Sequence, residues 1–463
     1  MRILEIIFIS LGFLSLIALL LKKGFSSFWT RTLALLALVA GLCQLWVEGY
    51  RWQMIPAYAL VAPLAVHLVR DILHARRLSP LWSLFGMLWL ISAVVLGSVL
   101  PVFSLPLPDG PFSIGTVTRE WSRATLPEEA GEDSTASRTM VVQFWYPARP
   151  GQGGKAAPYR TSNDGSALMR HLSLVKTHSR IDVPLANTPG SYPVVVFSPI
   201  WNSGPSSYAS LIETLASHGY VVAAIHHPED SSEDFSEISS PQKVHEKNLE
   251  IRRRANDARF LLDQLKKMND GDPKNPMTGR LDLSRVGIFG HSFGGAAAAE
   301  ACWLDPRFKA AINMDGAMYW EAANERATQP FFFMYNDFLP ATDAQLHSPD
   351  PGKRYDTQYG VLDLQRKEDW LKLHSGYSLM IRGSLHANFS DRPLYSPLKR
   401  LTAAGIIDPR RALQIANAYI LAYFEKHLRG QQEPLLDGPS SQYPEASFKV
   451  YAAPPAAPAG PSR

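Results

Sequence analysis

The feature that most limits how this chain can fold is a glycine-flanked serine between two apolar segments. Residues 290–294 are Gly-His-Ser-Phe-Gly. The run before them, 285–289, predicts a short buried strand, and the alanine-rich run 295–304 predicts a helix. A serine in the sharp turn between a strand and a helix has a strained backbone, and glycines two residues away let the two elements approach closely. We therefore expect the hydroxyl of Ser292 to project into open space.

The first 104 residues are predicted to cross a membrane. Four apolar stretches, each near the length that spans a bilayer, cover residues 3–21, 32–47, 52–69 and 82–103. The second is the shortest. A cleaved signal peptide is the alternative for the first stretch, but no small-residue cleavage site follows it and three further apolar stretches do. We expect residues 1–104 to be an all-α, four-span, multi-pass region.

Charge is divided unevenly between this region and the rest of the chain. Residues 1–104 carry eight Lys or Arg and three Asp or Glu, whereas the remainder carries 38 basic and 39 acidic residues. The overall charge of +4 thus belongs to short membrane loops and predicts no nucleic-acid surface. Basic residues flank the first and third turns between spans, which makes those turns cytoplasmic by the positive-inside rule. With four spans the rest of the chain is extracytoplasmic; without the second span the orientation inverts.

Neither a metal nor a cofactor site is predicted. The two cysteines are Cys43, in a predicted span, and Cys302, in the helix after Ser292, so a C-x-x-C site and a disulfide framework are excluded. Residues 226–230, His-His-Pro-Glu-Asp, have the composition of a metal site. However, adjacent histidines at a strand end point in opposite directions and rarely bind one ion.

Residues 105–430 are predicted to form one domain of alternating strands and helices. Predicted strands cover residues 140–146, 193–198, 220–225, 285–289, 309–314, 330–335 and 377–382. Predicted helices cover residues 206–218, 244–267, 295–304 and 410–428. This alternation indicates a doubly wound, mostly parallel sheet, and with the serine turn it predicts an α/β-hydrolase fold. Residues 431–463 form a C-terminal extension whose Pro- and Ala-rich end, from Ala452, is expected to be disordered.

Acyl transfer by a serine requires a base and an acid that orients the base. In this fold the acid and then the histidine follow the serine, each at the carboxyl end of a later strand. Asp315 ends the strand 310–314, and His386 follows the strand and turn 380–385. Asp337 follows another strand and is the alternative acid. An isolated Asp at a strand end is more often a turn former, but its order relative to the serine favours Asp315 as the acid.

The oxyanion of such a reaction needs two backbone N–H donors. One is expected at Phe293, directly after the serine, and the other in residues 200–202, since Pro199 has no amide hydrogen. His291 is expected to be a packing residue beneath the nucleophile. A charged cluster on the helix 244–267 is expected to be a solvated face, and its members are Glu246, Glu250, Arg252, Arg253 and Arg254.

The globular part resembles the platelet-activating factor acetylhydrolases of the plasma and intracellular type II kind. The similar segments are residues 107–116 (LPDGPFSIGT), 192–198 (YPVVVFS), 215–224 (LASHGYVVAA), 290–295 (GHSFGG) and 381–389 (IRGSLHANF). The resemblance implies a calcium-independent serine hydrolase that cleaves short or oxidised acyl groups from the sn-2 position of phospholipids. It also implies roles by position: Ser292 as nucleophile, Asp315 as acid, His386 as base, and the amides of Phe293 and Trp201 as oxyanion donors.

The sequence departs from these relatives at Pro199-Ile200, where they carry His-Gly. A β-branched residue in place of glycine restricts the backbone near the second oxyanion donor. Three functions therefore remain open. The first is a membrane-anchored ester hydrolase acting on a lipid or small amphiphilic ester. The second is a general esterase or an acyltransferase, and the third is a membrane scaffold with a degenerate hydrolase domain.

Overall fold

The computed structural model describes residues 1–21, 27–72, 80–124, 126, 137–151, 153–160, 167–227, 238–271, 277–318 and 329–452. The chain divides into two units. The first unit comprises Met1–Ser104, Pro158–Lys176 and Pro393–Thr402. The second comprises Leu105–Ala157, Thr177–Arg392 and Ala403–Arg463.

Apolar helices dominate the first unit. They are α1 (Ile3–Leu20), α2 (Ser27–Val47), α3 (Ile55–Tyr58), α4 (Val61–Ile72) and α5 (Pro80–Val99). Within the described residues, three helical segments are long and apolar enough to cross a bilayer: Ile3–Leu20, Phe28–Val47 and Leu81–Val99. Large apolar side chains on these helices, such as Leu14, Leu42 and Leu88, are exposed. By length and composition, α1, α2 and α5 therefore suit a membrane.

The third apolar stretch corrects the expectation of four clear spans. It forms a 3-10 helix at Trp52–Met54, then α3 and α4, rather than one long helix. Pro56 lies in the first turn of α3 and Pro63 near the start of α4. Proline has no N–H to continue a helix, so each proline favours a new helix start. The second apolar stretch, which is the shortest of the four, lies by contrast within one continuous helix, the 21-residue α2.

A buried ion pair joins the helices of the first unit. Arg51 Nη1 lies 3.0 Å from Glu5 Oε2, and neither side chain is exposed. The same guanidinium donates hydrogen bonds to the carbonyls of Gly97 at 3.0 Å and Leu100 at 2.8 Å. Because an unpaired buried charge is costly, these contacts hold the start of α1 and the end of α5 around Arg51.

Two segments from later in the chain also belong to the first unit. The hydroxyls of Tyr159 and Tyr395 lie 3.0 Å apart, and the ring of Phe103 stacks on that of Tyr395 with centroids 5.6 Å apart. Trp52 Nε1 donates a hydrogen bond to the Leu168 carbonyl at 3.0 Å. These segments therefore pack on the residues that flank the apolar helices.

One large sheet organises the second unit. Its strands are β1 (Ser113–Ala124), β2 (Ser137–Ala148), β3 (Ala156–Pro158), β4 (Lys176–Ile181), β5 (Tyr192–Ser198), β6 (Val221–His226), β7 (Leu281–His291), β8 (Phe308–Met314), β9 (Phe331–Tyr335), β10 (Gly376–Ile381) and β11 (Ala446–Tyr451). The helices are α6 (Ala209–Ser217), α7 (Pro241–Gly271), α8 (Phe293–Leu304), α9 (Asp343–Leu346), α10 (Pro351–His374), α11 (Lys399–Thr402, grouped with the first unit) and α12 (Pro409–Arg429).

The strand order within the described residues is β11-β10-β9-β8-β7-β5-β6-β2-β1-β4-β3. The six central strands from β10 to β6 pair in parallel. Antiparallel pairing joins β2 to β6 and β1 to β2 on one side, and β11 to β10 on the other. The fold is thus a mixed α/β architecture, and the expected mostly parallel sheet is confirmed at its centre.

Helices cover both faces of this sheet. In β5, Val195 and Phe197 pack in one apolar cluster with residues of α6 and α12, whereas Val194 and Val196 pack in another with residues of α7 and α8. All four side chains are fully buried. A parallel strand covered on both faces must be apolar throughout, which explains the run of valines. Because β5, β7, β8, β9 and β10 are parallel, the loops after them meet at one edge of the sheet.

Several elements were not predicted from the sequence. The longest is α10, whose exposed surface is highly charged and whose start is capped by Asp350 Oδ1, which accepts from Gly352 N at 2.9 Å. Another is β11, which adds an edge strand from the C-terminal extension and buries Phe448. The expected disordered end falls on residues 453–463, which lie outside the described residues.

Candidate active site

Ser292 occupies a strained turn between β7 and α8. Its φ of 56° and ψ of −120° lie in a region that non-glycine residues rarely adopt. Its amide donates to the Met314 carbonyl at 2.8 Å, and its carbonyl accepts from the amides of Gly295 at 2.9 Å and Ala296 at 3.1 Å. The turn is therefore fixed from β8 on one side and from α8 on the other.

The glycines at 290 and 294 are required by close backbone contacts. A Cβ on Gly290 would lie 2.1 Å from the Gly294 carbonyl oxygen. A Cβ on Gly294 would lie 2.0 Å from the Ser198 carbonyl oxygen and 2.5 Å from that of Pro199. Since no side chain fits at these distances, the glycines allow the serine turn to pack directly on the loop after β5.

Asp315 and His386 form a hydrogen-bonded pair at the same sheet edge. His386 Nδ1 lies 2.6 Å from Asp315 Oδ2, and Asn336 donates to the same carboxylate from its amide at 3.0 Å and from Nδ2 at 2.8 Å. Burial opposes the ionised form of Asp315, but the hydrogen bond and charge of His386 outweigh it and lower the pKa of the carboxyl. An ionised acceptor at Nδ1 leaves Nε2 of His386 available to accept a proton.

Among the described residues, no hydrogen bond joins Ser292 Oγ to His386, so the serine–histidine contact of a triad is not formed. The His386 side chain is 42% exposed, and its ring centroid lies 4.5 Å from that of buried His291. His291, the residue before the serine, accepts or donates a 2.8 Å hydrogen bond with the Tyr208 hydroxyl. The expected packing role of His291 thus includes support of the His386 ring. A hydrogen bond between a catalytic serine and its histidine commonly tightens only when substrate binds.

Asp337, the alternative acid, has different partners. Its Oδ2 accepts from the Gly383 amide at 2.7 Å, and its own amide donates to the Ser384 carbonyl at 3.2 Å. Both contacts tie it to the turn between β10 and His386. The structure therefore places Asp315, and not Asp337, against the imidazole.

The two residues expected to donate to an oxyanion are neighbours. Phe293 begins α8, and Trp201 lies in the turn after β5, with ring centroids 5.4 Å apart. Within that turn, the Ile200 amide donates to the Tyr208 hydroxyl at 3.3 Å and is therefore used by the loop itself.

The expectation of a solvated charged face on the helix 244–267 is wrong for Glu250 and Arg254. Both lie on α7 and are buried, at 4% and 1% exposure. Arg254 Nη1 donates to the Pro199 carbonyl at 2.9 Å. Its guanidinium also lies over the rings of Trp201 and Phe293, 4.9 Å and 5.4 Å from their centroids. The charge pattern of the helix gave no signal of this, since the buried Arg254 directly follows Arg252 and Arg253, which are only partly buried.

A second Ser-His-Asp array, missed in the sequence, is buried next to the first. His227 Nε2 lies 2.9 Å from Ser198 Oγ and its Nδ1 lies 2.9 Å from Asp257 Oδ2, while Arg123 Nε donates to Asp257 Oδ1 at 2.7 Å. Burial lowers the pKa of His227 to about 4, although Asp257 opposes this shift. The pKa of Asp257 falls to about 2 because His227 and two arginines outweigh the effect of burial.

This array has no access for a substrate, since Ser198 is 2% and His227 is 8% exposed. The structure thus assigns His227 to internal hydrogen bonding rather than to a metal. Within the described residues, no group of three or more His, Cys, Asp or Glu side chains could hold a metal ion. Glu229 and Asp230, which completed the metal-like run in the sequence, lie outside the described residues.

The fold and this arrangement define a class of protein, a hydrolase that acts on esters. A solved structure, the ferulic acid esterase from Streptomyces cinnamoneus, has a TM-score of 0.57 and 27% identity, covering 75% of this chain and 99% of that one. The family model described as platelet-activating factor acetylhydrolase, isoform II, matches residues 134–436. The chain belongs to this family.

Curated relatives agree with that assignment. A probable 1-alkyl-2-acetylglycerophosphocholine esterase of Arthroderma benhamiae is 26% identical over 401 residues, covering 78% of this chain and 97% of the relative. The platelet-activating factor acetylhydrolase of Cavia porcellus is 25% identical over 366 residues, covering 70% and 78%. The resemblance inferred from the short motifs is thus confirmed.

The packing at Gly294 yields a testable prediction. Gly294→Ala should lower the free energy of unfolding by about 3 kcal/mol, because the added methyl group collides with two backbone carbonyls that cannot move independently. The matched control is Gly360→Ala, at an exposed site in α10 where nothing lies within 4 Å of the added Cβ. It should be stabilising by about 0.5 to 1 kcal/mol. Denaturant unfolding measures both, and equal stability of the two variants would contradict the described turn.

Proposed function

We propose that this chain is a membrane-anchored serine carboxylic-ester hydrolase with an α/β-hydrolase fold. Its proposed substrates are phospholipids, or similar amphiphilic esters, with short or oxidised sn-2 acyl groups. The observation that carries the proposal is the 2.6 Å contact of His386 with Asp315 beside the strained serine turn. The names of the relatives, a platelet-activating factor acetylhydrolase and a probable 1-alkyl-2-acetylglycerophosphocholine esterase, support the substrate class.

In the proposed mechanism, Ser292 Oγ attacks the ester carbonyl carbon while His386 Nε2 takes the hydroxyl proton. Asp315 stabilises the imidazolium through its hydrogen bond to Nδ1. The negative oxygen of the tetrahedral intermediate accepts hydrogen bonds from the amides of Phe293 and Trp201. As the intermediate collapses, the imidazolium gives its proton to the departing alcohol, which leaves an acyl-serine.

Deacylation follows the same route with water as the nucleophile. His386 Nε2 accepts a proton from the water as it attacks the acyl carbon, and then returns the proton to Ser292 Oγ. The products are the carboxylic acid and the free enzyme. Every proton transfer uses side chains of this chain, so the proposed reaction needs no cofactor.

Substitution of the proposed triad tests the mechanism. Ser292→Ala should abolish hydrolysis of p-nitrophenyl acetate, and Asp315→Asn should lower kcat by about 10³ to 10⁴-fold, because an amide cannot stabilise the imidazolium. Asp337→Asn is the matched control, since an amide oxygen can still accept from the Gly383 amide. It should keep most of its activity. Full activity in Ser292→Ala, or the larger loss in Asp337→Asn, would contradict the assigned roles.

A second candidate, a general small-ester esterase, is favoured by the likeness to a protein named as a ferulic acid esterase. Acyl-chain selectivity separates the two candidates. Phosphatidylcholines with sn-2 acetyl, butyroyl, oxidised or long acyl chains can be compared with a feruloyl ester, with products weighed by mass spectrometry.

We expect kcat/KM for the sn-2 acetyl phospholipid to exceed that for the long-chain one by at least about tenfold, since an acyl pocket discriminates by chain length. Equal rates on all phospholipids and on the feruloyl ester would favour the general esterase. Transfer of the acyl group to an added alcohol instead of water would favour an acyltransferase. Failure of a fluorophosphonate probe to label Ser292 would favour a degenerate scaffold, because only an activated serine reacts quickly.

The proposed membrane anchor consists of α1, α2 and α5, together with the broken segment 52–72 as a fourth crossing. We propose that the catalytic unit is extracytoplasmic. Alkaline phosphatase fused after residue 452 should then be active in bacterial cells, while a fusion within residues 22–26 should be inactive, because this reporter folds only outside the cytoplasm. Two active or two inactive fusions would favour three crossings, because residues 22–26 and the catalytic unit would then lie on the same side of the membrane. The opposite pattern would place the catalytic unit in the cytoplasm, and release of the full chain by alkaline carbonate would exclude an integral anchor.

A further inference from the structure

Helix α7 places two buried charges against the loop that follows β5. Arg254 and Asp257 lie about one turn apart and are 1% and 0% exposed. Neither residue is part of the Ser292, Asp315 and His386 set. Burying such groups is costly unless they are fully paired, and apolar side chains of similar size would often stabilise a core as well. Their contacts therefore indicate a role beyond core packing.

Arg254 contacts both residues whose amides are the proposed oxyanion donors. Its guanidinium lies 4.9 Å from the ring centroid of Trp201 and 5.4 Å from that of Phe293. Its Nη1 also donates to the Pro199 carbonyl at 2.9 Å, two residues before Trp201. One planar cation thus bridges the loop after β5 and the first residue of α8. Trp201 and Phe293 belong to separate elements, and Arg254 fixes their spacing.

Asp257 holds Ser198, the last residue of β5 and the residue directly before this loop, through His227. The chain of contacts runs from Asp257 Oδ2 to His227 Nδ1 at 2.9 Å, and from His227 Nε2 to Ser198 Oγ at 2.9 Å. The carbonyl oxygens of Ser198 and Pro199 also lie close to Gly294, so close that a Cβ at position 294 would collide with both. Helix α7 therefore restrains two successive residues, Ser198 at the end of β5 through His227 and Pro199 at the start of the loop through Arg254.

This restraint matters because an oxyanion donor must be placed accurately. Donors act when they lie about 2.7 to 3.1 Å from the developing negative oxygen, and an error of about 1 Å is costly. The loop contains no regular secondary structure from Pro199 until the 3-10 helix at Pro205–Tyr208. Asn202, directly after Trp201, has a φ of 53°, which is uncommon for a residue other than glycine. External contacts must therefore hold the Trp201 amide in position.

We propose that Arg254 is a positioning residue of the oxyanion hole, which sets the Trp201 amide relative to that of Phe293 without touching the substrate. The proposal rests on the proposed ester hydrolase function of the same site. The Asp257–His227–Ser198 array supports it by fixing the start of the loop. A lysine cannot replace this arginine fully, because it lacks the planar guanidinium that stacks on two rings while donating to a carbonyl.

The test compares Arg254→Met and Arg254→Lys with the matched control Arg252→Met. Arg252 lies on the same helix, pairs with Glu300 at 2.6 Å and lies 5.6 Å from the ring centroid of Trp303, so its loss removes an ion pair and a cation–π contact away from the site. The full chain in detergent is assayed with p-nitrophenyl acetate. The rate is expressed per active serine, counted with a fluorophosphonate probe. Amide hydrogen exchange of the 198–203 segment is measured on the same samples.

We expect Arg254→Met to lower kcat per active serine on the order of 100-fold while KM stays within about threefold, as for loss of one oxyanion donor. Arg254→Lys should fall between this variant and wild type, and Arg252→Met should match wild type. Exchange in the 198–203 segment should be faster in the Arg254 variants alone. If Arg254→Met does not fold, the proposal is tested by kcat per active serine and by hydrogen exchange of the 198–203 segment in Arg254→Lys.

A purely structural role gives a different result. It would reduce thermal stability and the number of active serines, but it would leave kcat per active serine and exchange in the 198–203 segment unchanged, and this outcome overturns the inference. Failure of the proposed function is separate. It would appear as full hydrolysis by Ser292→Ala, while the exchange measurement would still report whether Arg254 holds the loop.

Discussion

The site depends on one close contact, the packing of Gly294 on the carbonyl of Ser198. A Cβ at position 294 would lie 2.0 Å from that oxygen, so only glycine allows the contact. It brings the end of β5 against the serine turn between β7 and α8. The amide of Ser292 then bonds to the end of β8, where Asp315 follows, and Asp315 in turn holds His386. Through these contacts, Ser292, Asp315 and His386, which are distant in sequence, depend on one close backbone contact.

Much of the central fold could be predicted because parallel strands buried on both faces leave a clear apolar pattern. The run Pro193 to Ser198 and the strand before Ser292 are examples, and both lie where expected. The pattern fails where burial is partial. Helix α10 exposes most of its charged residues, and β11 lies at the sheet edge, so neither has a strong apolar signal. In the first unit, hydropathy identified the apolar stretch 52–69 but did not indicate that it would break into short helices at its prolines.

The candidate site was only partly predictable, for a related reason. Strand order and motif spacing placed Ser292, Asp315 and His386 at one sheet edge, since the loops after parallel strands converge there. Which side chains of α7 turn inward depends on packing, and so the sequence could not distinguish the buried Arg254 from the partly buried Arg252 and Arg253. The link from Asp257 through His227 to Ser198 joins three elements. No local sequence pattern reports such a link, because its members lie in three separate elements.

In the proposed mechanism, Ser292, His386 and Asp315 act together on an ester carbonyl held by the amides of Phe293 and Trp201. A crystal structure after reaction with a trifluoromethyl ketone tests this most directly, because the adduct resembles the tetrahedral intermediate. The account predicts a bond from Ser292 Oγ to the ketone carbon, an oxyanion about 2.7 to 3.1 Å from both amides, and His386 Nε2 within hydrogen-bonding distance of the adduct. An adduct on another residue, or an imidazole turned away from it, would contradict the account.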